Sequence, residues 1–325
     1  MAQPIPYVTE AAPPYGTAER VSPMVRRVVA HNPSKFTYHG TGTYLVGRGE
    51  VAVIDPGPLL DAHVDAIVAA LEPGETITHI PVTHTHTDHS PAAALLQSRV
   101  DAPTYGFGPH GDVPLDDPTD VVVFGDDEAD GKLTTTLTAA ERDALREGAD
   151  TAFVPDVALA EGDTLRGPGW TLQAVYTPGH TSNHVCYELV EERTLFTGDH
   201  VMGWSTSVIN PPDGSLSDYL ASLRKLLGRH DQSYRPTHGT VITEPHALVA
   251  AFLAHREART AQIMSLLEAG PATIAQLVPV VYAAVSKSLW RPAAASMYAH
   301  LLQLVEEGQV EASQPGLRTA IFTLT

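Results

Sequence analysis

Residues 81–90 read PVTHTHTDHS. Three histidines and an aspartate, His84, His86, Asp88 and His89, fall within six residues behind the apolar lead Ile80-Pro81-Val82. Neutral imidazole nitrogen and carboxylate oxygen are metal donors. His84 and His86 stand two apart, so an extended loop turns both to one side. Asp88 and His89 lie past the bend, where they could face a second ion. One loop cannot fill a coordination shell, so further ligands must come from distant parts of the chain.

The flanking sequence places this loop. Residues 77–82, ITHIPV, predict a strand, and Pro91 onward predicts a helix with Ser90 as its cap. The cluster therefore sits on a strand-to-helix loop, where layered α/β proteins build their sites. Upstream, 24–30, 43–46 and 51–54 read as strands, the last ended by Asp55-Pro56-Gly57-Pro58, and 61–71 has helical spacing with Val64, Ile67, Val68 and Leu71 on one face. Downstream, 106–150 is rich in Gly, Pro and Asp with little period. Strands return at 171–176, 184–189 and 194–197, and 216–227 reads as a helix.

Three further donors stand in turns beside glycine, where the backbone can carry a side chain to a loop site. They are His180 in Thr177-Pro178-Gly179-His180-Thr181, Asp199 in Thr197-Gly198-Asp199-His200, and His238 in Pro236-Thr237-His238-Gly239. Cys186, the single cysteine, lies in an apolar strand and reads as core. His31, His63, His79, His110, His230, His246, His255 and His300 read as core or surface residues.

HTHTDH, TPGHT, FTGD and PTHG in that order, with Ile54-Asp55-Pro56-Gly57 ahead of them, resemble the metallo-β-lactamase superfamily over residues 24–245. The resemblance implies an α/β fold, an αββα sandwich with two metals at one edge of its sheets. It implies His84, His86 and His180 on the first ion, Asp88, His89 and His238 on the second, and Asp199 as the bridge. An aspartate stands where β-lactam-hydrolysing members commonly carry cysteine, which points to the branch resembling glyoxalase II and RNase Z. Two divalent ions about 3.5–4 Å apart lower the pKa of a shared water from 15.7 towards about 7. A metal-bridging hydroxide then attacks a carbonyl or phosphoryl centre, with Asp88 as the catalytic residue that orients it. His and Asp donors accept zinc, manganese or iron, zinc being the first expectation. Asp55, His184 and His200 fall close to the ligands as hydrogen-bonding supports or proton donors.

The C-terminal part has its own pattern. Residues 246–269 read as a long helix ended by Gly270-Pro271, 273–284 as a helical turn region, and 293–307 as a helix ended by Gly308. The tail then alternates around Pro315-Gly316. Helix, helix, helix, hairpin is the outline of a winged helix. Together with FTGDHVMGWSTSVINPPDGSLSDYL at 196–220, this tail resembles the branch of β-lactamase-like protein 2. Some members of that branch are endoribonucleases on single-stranded RNA, and related fungal and bacterial enzymes act on thioesters.

Charge and composition choose among these. The formal net charge is -18, and residues 101–165 hold 16 Asp and Glu against 3 Lys and Arg, so much of the acidity lies in one segment. Residues 251–325 hold five Lys and Arg and five Asp and Glu, and 293–307 has no Lys or Arg. Specific DNA reading needs such side chains on the recognition helix, so it is not expected. The expected substrate is a small or carrier-linked ester, thioester or lactone, with single-stranded RNA as the alternative. Trp290 and Tyr298 are expected to reach the mouth of the site. The chain divides as an N-terminal arm at 1–20, a catalytic domain at 21–248 with an acidic insertion at about 106–163, and a winged-helix-like domain at 249–325. The N-terminus lacks the pattern of a signal peptide, no apolar run is long enough for a membrane span, and one cysteine suits a reducing cytoplasm.

Overall fold

The computed structural model describes residues 4–111, 122, 124 and 148–325. The acid-rich run from Asp112 to Asp130 lies outside the described residues, except for Val122 and Phe124. One sheet carries β1 (Glu19–Arg20), β2 (Val25–Val29), β3 (Gly42–Val46), β4 (Glu50–Ile54), β5 (Thr76–Pro81), β6 (Thr104–Gly106) and β7 (Val157–Ala158), neighbours in that order. A second carries β8 (Thr164–Gly167), β9 (Trp170–Tyr176), β10 (Val185–Leu189), β11 (Thr194–Gly198) and β12 (Ser233–Pro236), again in sequence order. Helices α1 (Asp61–Ala69) and α2 (Ala92–Gln97) belong to the first layer, and α3 (Leu216–Leu227) and α4 (Pro245–Leu267) to the second.

Three apolar cores explain the layering. Val51 and Val53 of β4 join Val64, Ile67 and Leu96 of α1 and α2. Ala52 and Ile54 of the same strand face Leu172, Tyr187 and Phe196 of the second sheet. Leu195 and Cys186 on the far side of that sheet meet Leu220 and Leu223 of α3 and Val249 and Phe252 of α4. Both faces of each sheet are covered, which is why β4 reads as an unbroken apolar run instead of an alternation. The order is helix, sheet, sheet, helix, the expected αββα sandwich.

The helices follow their sequence signals. Ser215 caps α3 by accepting the Asp218 N–H, Leu216, Tyr219, Leu220, Leu223 and Leu226 fill its buried face, and Arg224 and Lys225 meet the negative end of its dipole. The cap expected for α2 is absent: Pro91 occupies the N-cap position, and Ser90 Oγ donates to Asp150 Oδ2 at 2.7 Å. A tertiary carboxylate has outcompeted the local N–H groups for that hydroxyl. β10 starts at Val185, so His184 belongs to the preceding turn. Strands β8 and β12, too short to show a period, were not legible in the sequence.

The C-terminal module comprises β13 (Ala272–Thr273), α5 (Ile274–Val281), α6 (Trp290–Glu306), β14 (Val310–Ala312) and β15 (Ile321–Leu324), with its small sheet ordered β13-β15-β14. Thr273 and Gln276 form a capping box that starts α5. α4 ties the module to the sandwich: Leu248, Val249, Phe252 and Leu253 lie in the sandwich core, while Ile263 and Leu267 lie in the module's own core. Trp290 and Tyr298, expected at the mouth, are engaged by the module's own core. Tyr298 is buried in the module's core and Trp290 packs against it, because the apolar side of α6 is needed to close that core. α6 also begins three residues before the expected start, which brings Arg291 into it.

Candidate metal centre

The donors meet because parallel strands end on one edge. β4 runs parallel to β5, and β11 runs parallel to β12. β9 and β11 are both antiparallel to β10 and hence parallel to each other. Asp55, the 82–90 loop, His180, Asp199 and His238 follow the C-terminal ends of β4, β5, β9, β11 and β12, so all five loops converge.

Within this edge the side chains form three overlapping groups whose donor atoms lie within 4.8 Å of one another: His84, His86 and His180; His84, His89 and Asp199; Asp88, His89 and His238. His86 Nδ1 is 3.0 Å from His84 Nε2 and 3.0 Å from His180 Nε2. His238 Nε2 lies 3.1 Å from Asp88 Oδ2 and 3.3 Å from Asp199 Oδ2. Asp199 Oδ2 is also 3.7 Å from His89 Nε2 and 4.0 Å from His180 Nε2, which puts it between the two histidine sets.

The outer hydrogen bonds determine which ring atoms face inward. Thr83 Oγ1 donates to Asp55 Oδ2 and therefore accepts from His84 Nδ1 at 3.0 Å. His89 Nδ1 donates to Asp55 Oδ2 at 2.9 Å, His180 Nδ1 to the Val208 carbonyl at 2.7 Å, and His238 Nδ1 to the Gly40 carbonyl at 3.1 Å. Each proton is committed outward, so in the neutral rings the four Nε2 lone pairs point at one another and at two carboxylates. His89 Nε2 and Asp199 Oδ1 are buried without a hydrogen-bond partner. Crowded lone pairs and an orphaned carboxylate oxygen repel unless a cation lies among them. Metal–nitrogen bonds of about 2.0–2.1 Å at tetrahedral angles put donors roughly 3.3 Å apart, and the observed separations bracket that value. The donor set fits divalent ions.

Titration behaviour follows from the same crowding. Burial, with neighbouring histidines, pushes His84 and His86 well below the usual imidazole value. Burial alone would lower His89 and His238 too, but the facing carboxylates win: His89 is held well above its usual value and His238 is pushed up to about 10. Burial would raise Asp88 and Asp199, but the adjacent histidines hold both well below the usual carboxylate range. Protons on His89 and His238 thus balance the carboxylates when no ion does.

Asp55 is the hub behind the cluster. Its carboxylate accepts from Thr83 N at 2.7 Å, Thr83 Oγ1 at 2.8 Å, His89 Nδ1 at 2.9 Å and Thr237 Oγ1 at 3.1 Å, which ties two ligand loops together. His184 and His200 lie deeper. His184 Nδ1 bonds Thr177 Oγ1 at 3.0 Å, and its ring is centred 5.1 Å from that of His84. His200 is fully buried, and burial pushes it down to about 3. Cys186 is core, its thiol pushed up to about 12 by burial. The opening lies over Asp88, whose side chain is 19% exposed while those of His89, His238 and Asp199 are nearly sealed. Sequence reasoning missed Thr41, which bonds Asp88, Ser207, which bonds His180, and His110, whose Nδ1 meets Thr85 Oγ1 at 2.9 Å. These are long-range contacts by common residue types, and no local pattern marks them.

Two family profiles cover this architecture. That of the Metallo-beta-lactamase superfamily matches residues 39–231, and that of the Beta-lactamase associated winged helix domain matches 273–315. The chain belongs to the metallo-beta-lactamase superfamily, and its donor groups are of the kind that could hold a metal ion. Within the superfamily it is similar to the Beta-lactamase-like protein 2 homolog of Drosophila melanogaster, 29% identical over 309 residues, covering 91% of this chain and 92% of the relative. It is 30% identical over 258 residues to the Atrochrysone carboxyl ACP thioesterase of Cryptosporiopsis sp. (strain 8999), covering 79% of this chain and 66% of that relative, so the match spans just under two thirds of the thioesterase's length. Among solved structures, a beta-lactamase domain protein from Burkholderia ambifaria superposes with a TM-score of 0.75 at 20% identity, covering 99% of this chain and 97% of the other, which supports the fold.

Proposed function

We propose that the protein is a binuclear metal-dependent hydrolase of carrier-linked or small acyl thioesters, esters or lactones. The observation that carries the metal reading is the inward convergence of imidazole lone pairs around the Asp199 carboxylate, whose Oδ1 has no hydrogen-bond partner. In this reading His84, His86 and His180 hold one ion, Asp88, His89 and His238 hold the other, and Asp199 lies between them. The nitrogen-rich donor set favours zinc over manganese or iron. When bound, two such ions would acidify a water and would stabilise oxygen charge developing at the carbonyl under attack.

The chain's own residues do the rest. Asp88, held ionised at the mouth, orients the attacking water through its carboxylate. Asp55 keeps the His89 ring turned to the site. His184 and His200 are neutral and enclosed, so they serve as the packed wall behind the ligands and not as proton donors. Residues 21–248 carry the chemistry, residues 249–325 brace it, and residues 1–20 form an arm.

The thioesterase names of the relatives from Cryptosporiopsis and Paecilomyces divaricatus support an acyl substrate. The packing of α6 agrees: Ala299 lies in the sandwich core, and Ser217 Oγ of α3 donates to Glu306 at 3.0 Å. A helix held in this way does not present the face that would enter a groove. Among the described residues no helix is long and apolar enough to cross a membrane. The test is a paired assay on one metal-quantified batch, with acyl thioesters and lactones in one arm and single-stranded RNA in the other, each with and without chelator. Chelator-sensitive thioester or lactone turnover with intact RNA is expected. Chelator-sensitive RNA cleavage without acyl turnover would overturn the substrate assignment.

A further inference from the structure

Arg256 lies on α4, far from the donor loops in sequence, and is only 4% exposed. Its guanidinium donates to the Ser207 carbonyl at 2.5 Å and sits 5.4 Å from the centre of the Tyr219 ring. Its Nε makes no hydrogen bond, and among the described residues no carboxylate pairs with it. A buried cation is costly unless its charge is met by polar partners, and among the described residues this one meets the Ser207 carbonyl and the Tyr219 side chain.

Both contacts lead to the metal centre. Ser207 Oγ is 3.1 Å from His180 Nδ1, and the next residue, Val208, supplies the carbonyl that accepts the same N–H. Tyr219 Oη donates to the His200 carbonyl at 3.0 Å, one residue beyond Asp199. The backbone of Tyr219 also lies where a Cβ on Gly179 would stand, so the turn carrying His180 is seated directly on α3. The segment from 199 to 211 is gripped from outside at two further points. Val8 N donates to the Gly203 carbonyl at 2.8 Å, and Arg318, from the wing between β14 and β15, donates to Asn210 Oδ1 at 3.2 Å and to the Pro211 carbonyl at 2.6 Å.

We propose that Arg256 is a positioning residue: by holding the Ser207 carbonyl and the Tyr219 ring it fixes the segment that orients His180 and seats Asp199, and so couples the C-terminal module to the metal centre. This rests on the metal reading above. The module is then a brace for two ligands, and its grip reaches the site through hydrogen bonds to backbone carbonyls instead of through a substrate contact. Outer partners of ligating histidines typically set metal affinity within about ten- to a hundredfold.

The experiment compares wild-type protein with Arg256→Ala, Arg256→Gln and Arg256→Lys. Each is stripped with chelator and titrated with Zn2+ against a chromophoric competitor and with Co2+ by visible absorption, with circular dichroism and thermal unfolding alongside. Arg256→Ala is expected to keep its helical signal and cooperative unfolding, to bind one of its two ions about ten- to a hundredfold more weakly, and to show an altered cobalt spectrum. Arg256→Lys is expected to recover part of that affinity. If Arg256→Ala does not fold, Arg256→Gln, which keeps the stem and an amide donor, decides the same question. Wild-type protein that binds two ions, alongside a folded variant with unchanged affinities and spectrum, overturns the relay alone. Wild-type protein that takes up no metal overturns the metal reading and the relay with it.

Discussion

Thr41 Oγ1 donates a 3.0 Å hydrogen bond to Asp88 Oδ2. Asn32 sets the direction of that bond: its Nδ2 donates to Thr41 Oγ1 at 2.9 Å and its Oδ1 accepts the Thr41 N–H at 2.9 Å, which leaves the Thr41 hydroxyl proton for the carboxylate. The donor at the mouth of the site is thus aimed by a loop that carries none of the ligands. Hydrogen bonds to a charged group contribute about 1.5–3 kcal/mol. Thr41→Val, nearly isosteric, is expected to lower kcat/KM roughly ten- to a hundredfold while the protein still folds. Unchanged kcat/KM would show that Asp88 needs no such support.

Asp55 separates charge from shape. Its backbone has φ 49°, in the left-handed region that asparagine tolerates better than alanine. Asp55→Asn is expected to fold while binding metal more weakly, because His89 loses its anionic partner. Asp55→Ala removes acceptors for four buried donors and strains the turn as well, and is expected to cost about 3–5 kcal/mol. Urea unfolding and metal titration of the pair check both parts. Equal effects of the two substitutions would refute the distinction.

The double substitution His84→Ala with His86→Ala is expected to abolish hydrolysis and release metal while the far-ultraviolet circular dichroism stays near wild type. Both rings stand on a loop, and the cores of the sandwich do not depend on them. Metal analysis of the purified variant is the direct readout. Full activity in that variant would end the metal-dependent mechanism.

Acid should weaken the metal-free protein. Burial pushes His63 down to about 4, against an ordinary imidazole value near 6.5. The folded state keeps this ring neutral, so below about pH 6.5 the unfolded chain binds more protons and stability falls with falling pH. His238 works the other way. Burial would lower it, but Asp199 and Asp88 raise it to about 10, so its contribution is whole below about pH 6.5 and fades as pH rises towards 10. Chelator-treated protein is expected to lose unfolding free energy between about pH 6.5 and 4. A flat urea-midpoint profile across that window would contradict the neutral buried state of His63.

The amino-acid sequence by itself marked out the donor set and the layering. His84, His86, Asp88 and His89 are neighbours along one loop, and the turns at His180, Asp199 and His238 keep their glycines close by, so local composition exposes them. The strands with long apolar runs and the helices with a clear period, such as 216–227, were legible for the same reason: burial of a repeating face leaves a repeating pattern. Only the tertiary structure decided what aims those donors. Arg256 reaches Ser207 across 49 residues, and Thr41 reaches Asp88 across 47. It also decided that Ser90 bonds Asp150 instead of capping α2, and that Tyr298, expected at the mouth, closes a core. A hydrogen bond between one common side chain and a distant carbonyl or carboxylate carries no period and no spacing, so it exists only once parallel strands have brought their loops to one edge.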